Sequence, residues 1–315
     1  ALIYLGSISV ISLLISWALI TMAANSLDKA WEIALMVVVI LLATSHLAVA
    51  IVNWVSTILA KPMLLPRMNF SAGVPEDAST LVVIPTMITS LSGIDDLIEG
   101  LEIRYLANRG KHIYFGLLTD FKDAASKNLA EDELLISSAK NKIVALNTKY
   151  SNGNPAPFYL FHRPRKFNAY DKIWMGYERK RGKLEELNGL LRGHGSDNFL
   201  EIVGNREVFS TIKYVITLDT DTQLPRESAW KMIGSMAHIL NRPVYNEKKK
   251  RVTEGYSILQ PRVSNSLPSE DSSAYAQLYS KETGTDPYTR AISDVYQDLF
   301  AEGSYIGKGI YDVDA

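Results

Sequence analysis

Asp219 and Asp221 stand two residues apart at the end of an apolar run, 213–218 (KYVITL). While the chain stays extended, both carboxylates leave the same side of it. Two like charges this close repel unless a cation neutralises them. Mg²⁺ or Mn²⁺ does so while completing its octahedron with phosphate oxygens and water. The pair therefore points to metal or nucleotide binding. As Asp219-Thr-Asp221-Thr222, the same residues also fit a membrane-bound aspartyl-nucleophile phosphatase or phosphotransferase, in which the first Asp attacks phosphorus and the second handles the proton. That chemistry expects the motif on the first strand of its domain, whereas at least three strand-like runs precede it here. A second pair, Asp312-Val-Asp314, follows a glycine-rich stretch and reads as a decoy.

Composition removes other chemistries. The chain has no cysteine, which excludes disulfides, thiolate metal sites and a Cys nucleophile. Its five histidines are scattered without metal-ligand spacing, so a metal here is expected to be a hard cation on carboxylates. A formal net charge of −1 gives no electrostatic case for nucleic acid.

The elements that must deliver the aspartates alternate between short apolar runs and helical periods. Residues 80–84 (TLVVI) form a buried-strand pattern closed by Pro85, and Ile94, Leu97, Ile98 and Leu101 recur at helical spacing. Ser92 with Asp95 resembles a capping box, and Gly110 a stop. A second strand at 112–118 ends in Thr119-Asp120, and a helix follows over 131–149. After a polar break come a third strand (158–161), a helix (183–191) and the fourth strand at 213–218. This order predicts an α/β fold with a mainly parallel sheet and helices on both faces. In such sheets ligands bind outside the carboxyl ends of the strands, where Thr86, Asp120, Asp219 and Asp221 all fall.

The first sixty residues are a different material. Only Asp28, Lys29 and Glu32 are charged there, and residues 2–24 and 33–59 carry no charge. Each run exceeds the ~20 apolar residues that cross a bilayer, and neither has the basic start and short core of a signal peptide. The sequence thus divides into a transmembrane hairpin (1–60), a linker opened by Pro62 and Pro66 (61–78), and a soluble domain (79–315). Trp31 sits where an interfacial anchor would, and His46 reads as a helix-packing or pore-facing group. Lys61 and Arg67 follow the second span, whereas the connector carries one Lys against two acids, which places the soluble domain in the cytoplasm. The chain begins at Ala1 rather than Met and is expected to be part of a longer polypeptide.

Taken together, several stretches resemble the glycosyltransferase domain of bacterial cyclic β-1,2-glucan synthases. They are 65–87 (LPRMNFSAGVPEDASTLVVIPTM), 117–124 (LLTDFKDA), 159–168 (YLFHRPRKFN), 174–193 (WMGYERKRGKLEELNGLLRG), 214–226 (YVITLDTDTQLPR), 255–269 (GYSILQPRVSNSLPS) and 286–315 (DPYTRAISDVYQDLFAEGSYIGKGIYDVDA). The resemblance implies a glycosyltransferase A-type fold, UDP-glucose as donor, a growing β-1,2-glucan as acceptor and a multi-pass place in the bacterial inner membrane. It implies that Thr86 and Asp120 hold the uridine, and that Asp219 and Asp221 bind the metal bridging the diphosphate. It also implies that Lys180 or Lys183 approaches the diphosphate, the register leaving both open. Glu302, Ser304 and Gly307 would belong to an acceptor-side loop with Lys308 and Gly309. An inverting displacement needs a carboxylate base, which the resemblance places beyond Ala315, with Asp298 and Asp312 as the available substitutes. A third reading keeps the fold and gives it a non-catalytic role as a nucleotide-sugar-binding scaffold.

Overall fold

Two long apolar helices, α1 (Leu2–Ala23) and α2 (Ala30–Leu59), are each long and apolar enough to cross a membrane. They pack as an antiparallel pair along a polar seam. The Tyr4 hydroxyl donates to Asn53 Oδ1 (2.5 Å), and Thr44 Oγ1 lies 2.6 Å from Ser16 Oγ and 3.4 Å from Ser12 Oγ. Between helices whose surroundings are as apolar as they are, small residues and side-chain hydrogen bonds supply the pairing. His46 is exposed and lies outside that seam.

The computed structural model describes residues 2–23, 29–59, 65–150, 156–261, 305 and 307–315. Its two compact units are the helix pair and an α/β unit comprising residues 65–261 and 305–315. The α/β sheet has β1 (Thr80–Ile88), β2 (Ile113–Phe121), β3 (Phe158–Arg163) and, later in the chain, β7 (Tyr214–Thr217) as parallel neighbours in the order β7-β1-β2-β3. Antiparallel β6 (Glu201–Val203) borders β3. On the other side β11 (Gly309–Asp312) pairs with β7, and β10 (Ile258–Leu259) pairs with β11. Two small hairpins, β4 (Lys166–Asn168) with β5 (Ile173–Met175) and β8 (Val244–Asn246) with β9 (Arg251–Glu254), stand apart from it. The expected α/β class and mainly parallel core are what the structure has.

Alternation along the strands divides the core into two layers. Val82, Ile84, Phe115, Leu117 and Ile216 meet α3 (Leu91–Ala107), α4 (Asp132–Tyr150) and α6 (Ser228–Ala237) through Leu101, Ile143 and Ile233. Leu81, Val83, Tyr114, Leu118 and Val215 turn the other way, onto Leu187 and Leu191 of α5 (Arg179–Leu191) and onto Phe199 and Phe209.

Four local expectations change. β1 runs through Pro85 to Ile88, because β7 pairs with β1 only as far as Val83↔Thr217 and leaves no partner where the missing proline N–H would point. The cap of α3 is Ser90, whose Oγ accepts from Gly93 N at 3.0 Å, and not Ser92. α5 starts at Arg179 instead of residue 183. The described part of the linker, from Leu65, packs on the α/β unit: Val74 and Ala78 are buried, and Met68 N donates to Gly234 O at 2.9 Å. A side chain at Gly234 would collide with the Met68 backbone.

His162 on β3 is fully buried, with Nδ1 2.8 Å from Thr119 Oγ1 and no partner for Nε2 among the described residues. Burial disfavours the imidazolium and holds its pKa down at about 4. In the unfolded chain the same group titrates near 6.5, so between those values the unfolded state binds the extra proton. Stability from this group is complete above pH 6.5 and is lost as pH falls towards 4. Urea unfolding followed across this window should give a slope approaching about 1.4 kcal/mol per pH unit, and that contribution should be missing in His162→Gln.

Candidate functional site

Because the parallel strands all end at one edge, their last residues meet there. Two charged layers form, one sealed and one open.

The sealed layer centres on Asp120, 2% exposed near the end of β2. Arg163, on β3, grips it bidentately, Nε to Oδ1 at 2.8 Å and Nη2 to Oδ2 at 3.0 Å, and also reaches Glu186 Oε2 at 3.0 Å. Lys183 Nζ lies 3.2 Å from Asp120 Oδ2 and donates to the Thr86 carbonyl. Burial holds the Lys183 ammonium below its usual pKa, with Asp120 opposing that fall. Gly176 lies against the Asp120 carboxylate so closely that a Cβ there would overlap it. Asp120, Lys183 and the Thr86 backbone are thus brought together, but with each other as partners. Thr86 itself remains partly exposed.

The open layer centres on Asp219. Lys180 Nζ, from the first turn of α5, donates to Asp219 Oδ1 at 2.5 Å and to the Gly307 carbonyl at 2.6 Å. Lys308 Nζ approaches Oδ2 from the other side at 3.3 Å. Burial alone would raise the Asp219 pKa, but the two ammoniums outweigh it and hold the carboxyl below the usual range. Tyr305 is close enough for this carboxylate, together with burial, to push its phenol up. Gly307 takes φ +81°, a backbone position where a side chain is strained. Of the two lysines left open by the sequence, Lys180 faces the aspartate motif and Lys183 sits one helical turn deeper. Glu302 and Ser304 lie outside the described residues, as does Asp298.

The two aspartates do not project from an extended chain as expected. β7 stops at Thr217, and the next residues reverse, with Thr222 N donating to Asp219 O at 3.1 Å. What holds that turn is Arg104, buried on α3: Nη2 donates to the carbonyls of Thr220 (2.6 Å) and Thr222 (2.7 Å), and Nε to Thr222 at 3.0 Å. Burial draws the guanidinium below its usual pKa, while the nearby Asp221 carboxylate opposes this. Asp221 stays exposed. Sequence reading missed Arg104 because its partners are more than a hundred residues away. It treated Lys308 only as part of a loop, and the Gly-Lys-Gly triplet was the one local hint.

The decoy pair lies at the opposite edge, since antiparallel β11 sets Asp312 beside Tyr214 at the start of β7. Asp312 Oδ1 accepts from the backbone N–H of Asp314 and Ala315, and Asp314 pairs with Arg192 at 2.5 Å. Asp312 therefore cannot serve as a substitute base at the Asp219 edge. Nor does Asp219 follow a first strand: β1–β6 precede it in the chain, which removes the placement that the phosphatase reading needs.

No family model matches the chain. Over 282 residues, 89% of its length, it is 43% identical to the cyclic beta-(1,2)-glucan synthase NdvB of Rhizobium meliloti (strain 1021), and it spans about 10% of that protein. This agrees with the resemblance read from the stretches between residues 65 and 315.

Replacing Arg104 by Gln should cost about 1.5–3 kcal/mol in urea unfolding, the usual range for hydrogen bonds to a charged group. Hydrogen exchange at the Thr222 amide should accelerate more than at β1 or β2 amides. Uniform acceleration would instead mark Arg104 as a general packing residue.

Proposed function

We propose that this chain carries the donor-binding part of a metal-dependent, inverting glycosyltransferase that takes UDP-glucose and elongates a β-1,2-glucan. The similarity to a glucan synthase supports the reaction class, and the A-type glycosyltransferase fold is the expected frame for it. The observation that carries the reading is Asp219 held between Lys180 and Lys308. A carboxylate flanked by two lysines is the complement of a cation bound to a diphosphate.

The donor set fits Mg²⁺ or Mn²⁺ as a partial shell. Asp219 and Asp221 offer hard oxygen ligands on one turn, and Asp219 already binds cationic groups. Among the described residues no cluster of three or more His, Asp or Glu side chains could hold a metal alone. The remaining positions would come from diphosphate oxygens and water, as is usual for Mg²⁺. Such an ion, when bound, neutralises charge on the departing nucleotide.

The protein's own groups do the rest. Lys180 and Lys308 exchange the Asp219 carboxylate for diphosphate oxygens and stabilise the leaving group. Cations in the first turn of a helix are unfavourable unless an anion stands nearby. Lys180 in the first turn of α5 is therefore better served by a phosphate as well as an aspartate. Arg104 keeps the Asp219 turn in place, and Lys183 fixes the end of β1 beside it. Thr86 is the partly exposed group left to meet the nucleoside. The glucan acceptor approaches from the side of Gly307, with Glu302 and Ser304 shortly before it in the sequence. In this reading α1 and α2 span the bacterial inner membrane and the α/β unit lies in the cytoplasm, where UDP-glucose is made.

Calorimetry on the detergent-solubilised chain with UDP and UDP-glucose tests this directly. Binding should require Mn²⁺ or Mg²⁺ and disappear in Asp219→Ala/Asp221→Ala. Binding that survives both metal removal and the double substitution would sink the proposal.

A second measurement separates the lysines' roles. Lys180→Gln and Lys308→Gln should each weaken UDP–Mn²⁺ binding about tenfold, or about 1.4 kcal/mol. Mn²⁺ alone should bind no more weakly, because an ammonium competing for Asp219 is gone. Equal losses for both ligands would assign the lysines to structure alone.

A further inference from the structure

The α/β unit carries a second conspicuous surface, away from the Asp219 edge in both sequence and chemistry. It starts where α6 ends. Ile239 and Leu240 are each 74% exposed, and Val244 and Tyr245 on β8 are more than half exposed. Largely exposed aliphatic pairs on a short turn are unfavourable in water, and clustered exposed apolar groups mark contact surfaces. The β8–β9 hairpin then projects from the same segment. Its tip and first β9 residue read Glu247-Lys248-Lys249-Lys250-Arg251, four cations against one carboxylate, all exposed. The base of this hairpin is fixed. Tyr256 N donates to Asn241 O at 2.9 Å, and a Cβ at Gly255, with φ +70°, would collide with the Arg242 carbonyl.

Asn241 ties this surface to the chain leaving the apolar helices. Its Nδ2 donates to Pro66 O at 2.8 Å and to Ser235 O at 2.7 Å, and Asn241 is itself buried. Pro66 follows the last residue of α2, Leu59, by only seven positions. Seven residues reach at most about 25 Å when fully extended. A segment rich in exposed Ile, Leu, Val and Tyr, followed by a basic tip, is thus anchored to a residue seven positions after the end of α2, a candidate membrane span. Apolar groups beside clustered Lys and Arg are the composition that binds anionic bilayer surfaces.

We infer that the 239–251 segment docks on an anionic lipid surface, with Ile239 and Leu240 entering the interfacial zone and Lys248, Lys249, Lys250 and Arg251 meeting headgroup charge. The inference rests on α1 and α2 lying in a membrane. It is independent of the sugar-nucleotide chemistry.

The absence of cysteine makes single-site labelling direct. The full chain is reconstituted in nanodiscs of zwitterionic lipid, or of the same lipid with phosphatidylglycerol, each containing a spin-labelled lipid. Fluorophores are placed at Leu14→Cys in α1, Leu240→Cys in the proposed surface and Tyr170→Cys, an exposed site on the β4–β5 turn. In anionic discs the Leu240 label should be quenched roughly threefold or more above the Tyr170 label, and Lys248→Gln/Lys249→Gln/Lys250→Gln should remove most of that difference. Leu14 should be quenched in both lipids. If Leu14 is quenched and Leu240 matches Tyr170, the docking surface is wrong while the membrane reading stands. If Leu14 is not quenched, the membrane reading falls and this inference with it. Leu240 quenching that ignores both lipid charge and the triple substitution would overturn the electrostatic docking.

Discussion

The parallel strands β1, β2, β3 and β7 end at a single edge, and the charges they deliver there cannot be left unpaired. Asp120, Arg163 and Lys183 are each nearly inaccessible to water, and both cations lie against the Asp120 carboxylate. A buried pair of this kind adds little net stability compared with an apolar filling, yet removing one member strands a charge at a cost of about 3–5 kcal/mol. The surroundings answer to that constraint. Gly176 and Gly182 lack side chains where backbone and charged groups crowd: a Cβ on one would meet Asp120, and a Cβ on the other the Tyr177 carbonyl. Glu186 takes up the remaining Arg163 nitrogen and binds Lys166 at 2.7 Å. A comparable bidentate pair, Arg165 with Asp132 at 2.5 and 3.0 Å, ties the end of β3 to the start of α4.

This sealed layer explains why the open one is free to change partners. Lys183 is committed to Asp120 and the Thr86 carbonyl, so α5 is pinned from within. Lys180, three residues earlier on the same helix face, then has a fixed base from which a flexible side chain reaches Asp219. Asp219 is partly exposed, and its ions stand in contact with solvent. Pairs in that setting contribute little stability individually and exchange at small cost. A ligand bringing both a cation and an anion can replace each half of the Asp219–lysine contact, so no charge is stranded. The buried pair lacks that exposure, since Asp120 and Arg163 are each only 2% exposed.

How much of this was legible follows from range. The strands and helices announce themselves within a few residues: TLVVI and KYVITL are apolar β-branched runs, and Ile94, Leu97, Ile98 and Leu101 mark one face of α3. The placement of Asp219 at the carboxyl edge follows from those local signals plus parallel order. Three features depended on contacts that no local pattern encodes. Arg104 looks like one more surface arginine on a helix until the Asp219 turn is seen folded over it. The pairing of Asp120 is visible only once Arg163 arrives from the next strand. The positions of Lys180 and Lys183 relative to Asp219 turned on where α5 begins. An apolar-period reading starts it at residue 183, whereas the structure begins it at Arg179, with Glu178 and Arg179 in left-handed backbone conformations.

Those left-handed residues bear on the site directly. Non-glycine residues at positive φ cost energy and persist where neighbouring contacts over-determine them. Here the contacts are visible: Arg179 N donates to Gly176 O at 3.1 Å, Arg163 Nη2 donates to Tyr177 O at 3.2 Å, and Arg179 pairs with Asp123 at 2.6 Å. The chain thus turns sharply over the Asp120 carboxylate before α5 starts. One tight turn covers the sealed ion pair with Gly176 and, within four residues, presents Lys180 to Asp219. A straighter entry into α5 would uncover Asp120 and move Lys180 away from the aspartate motif at the same time. The burial of one charge and the exposure of the other are therefore consequences of the same few residues, 176–180, which is why neither layer can be altered there without the other.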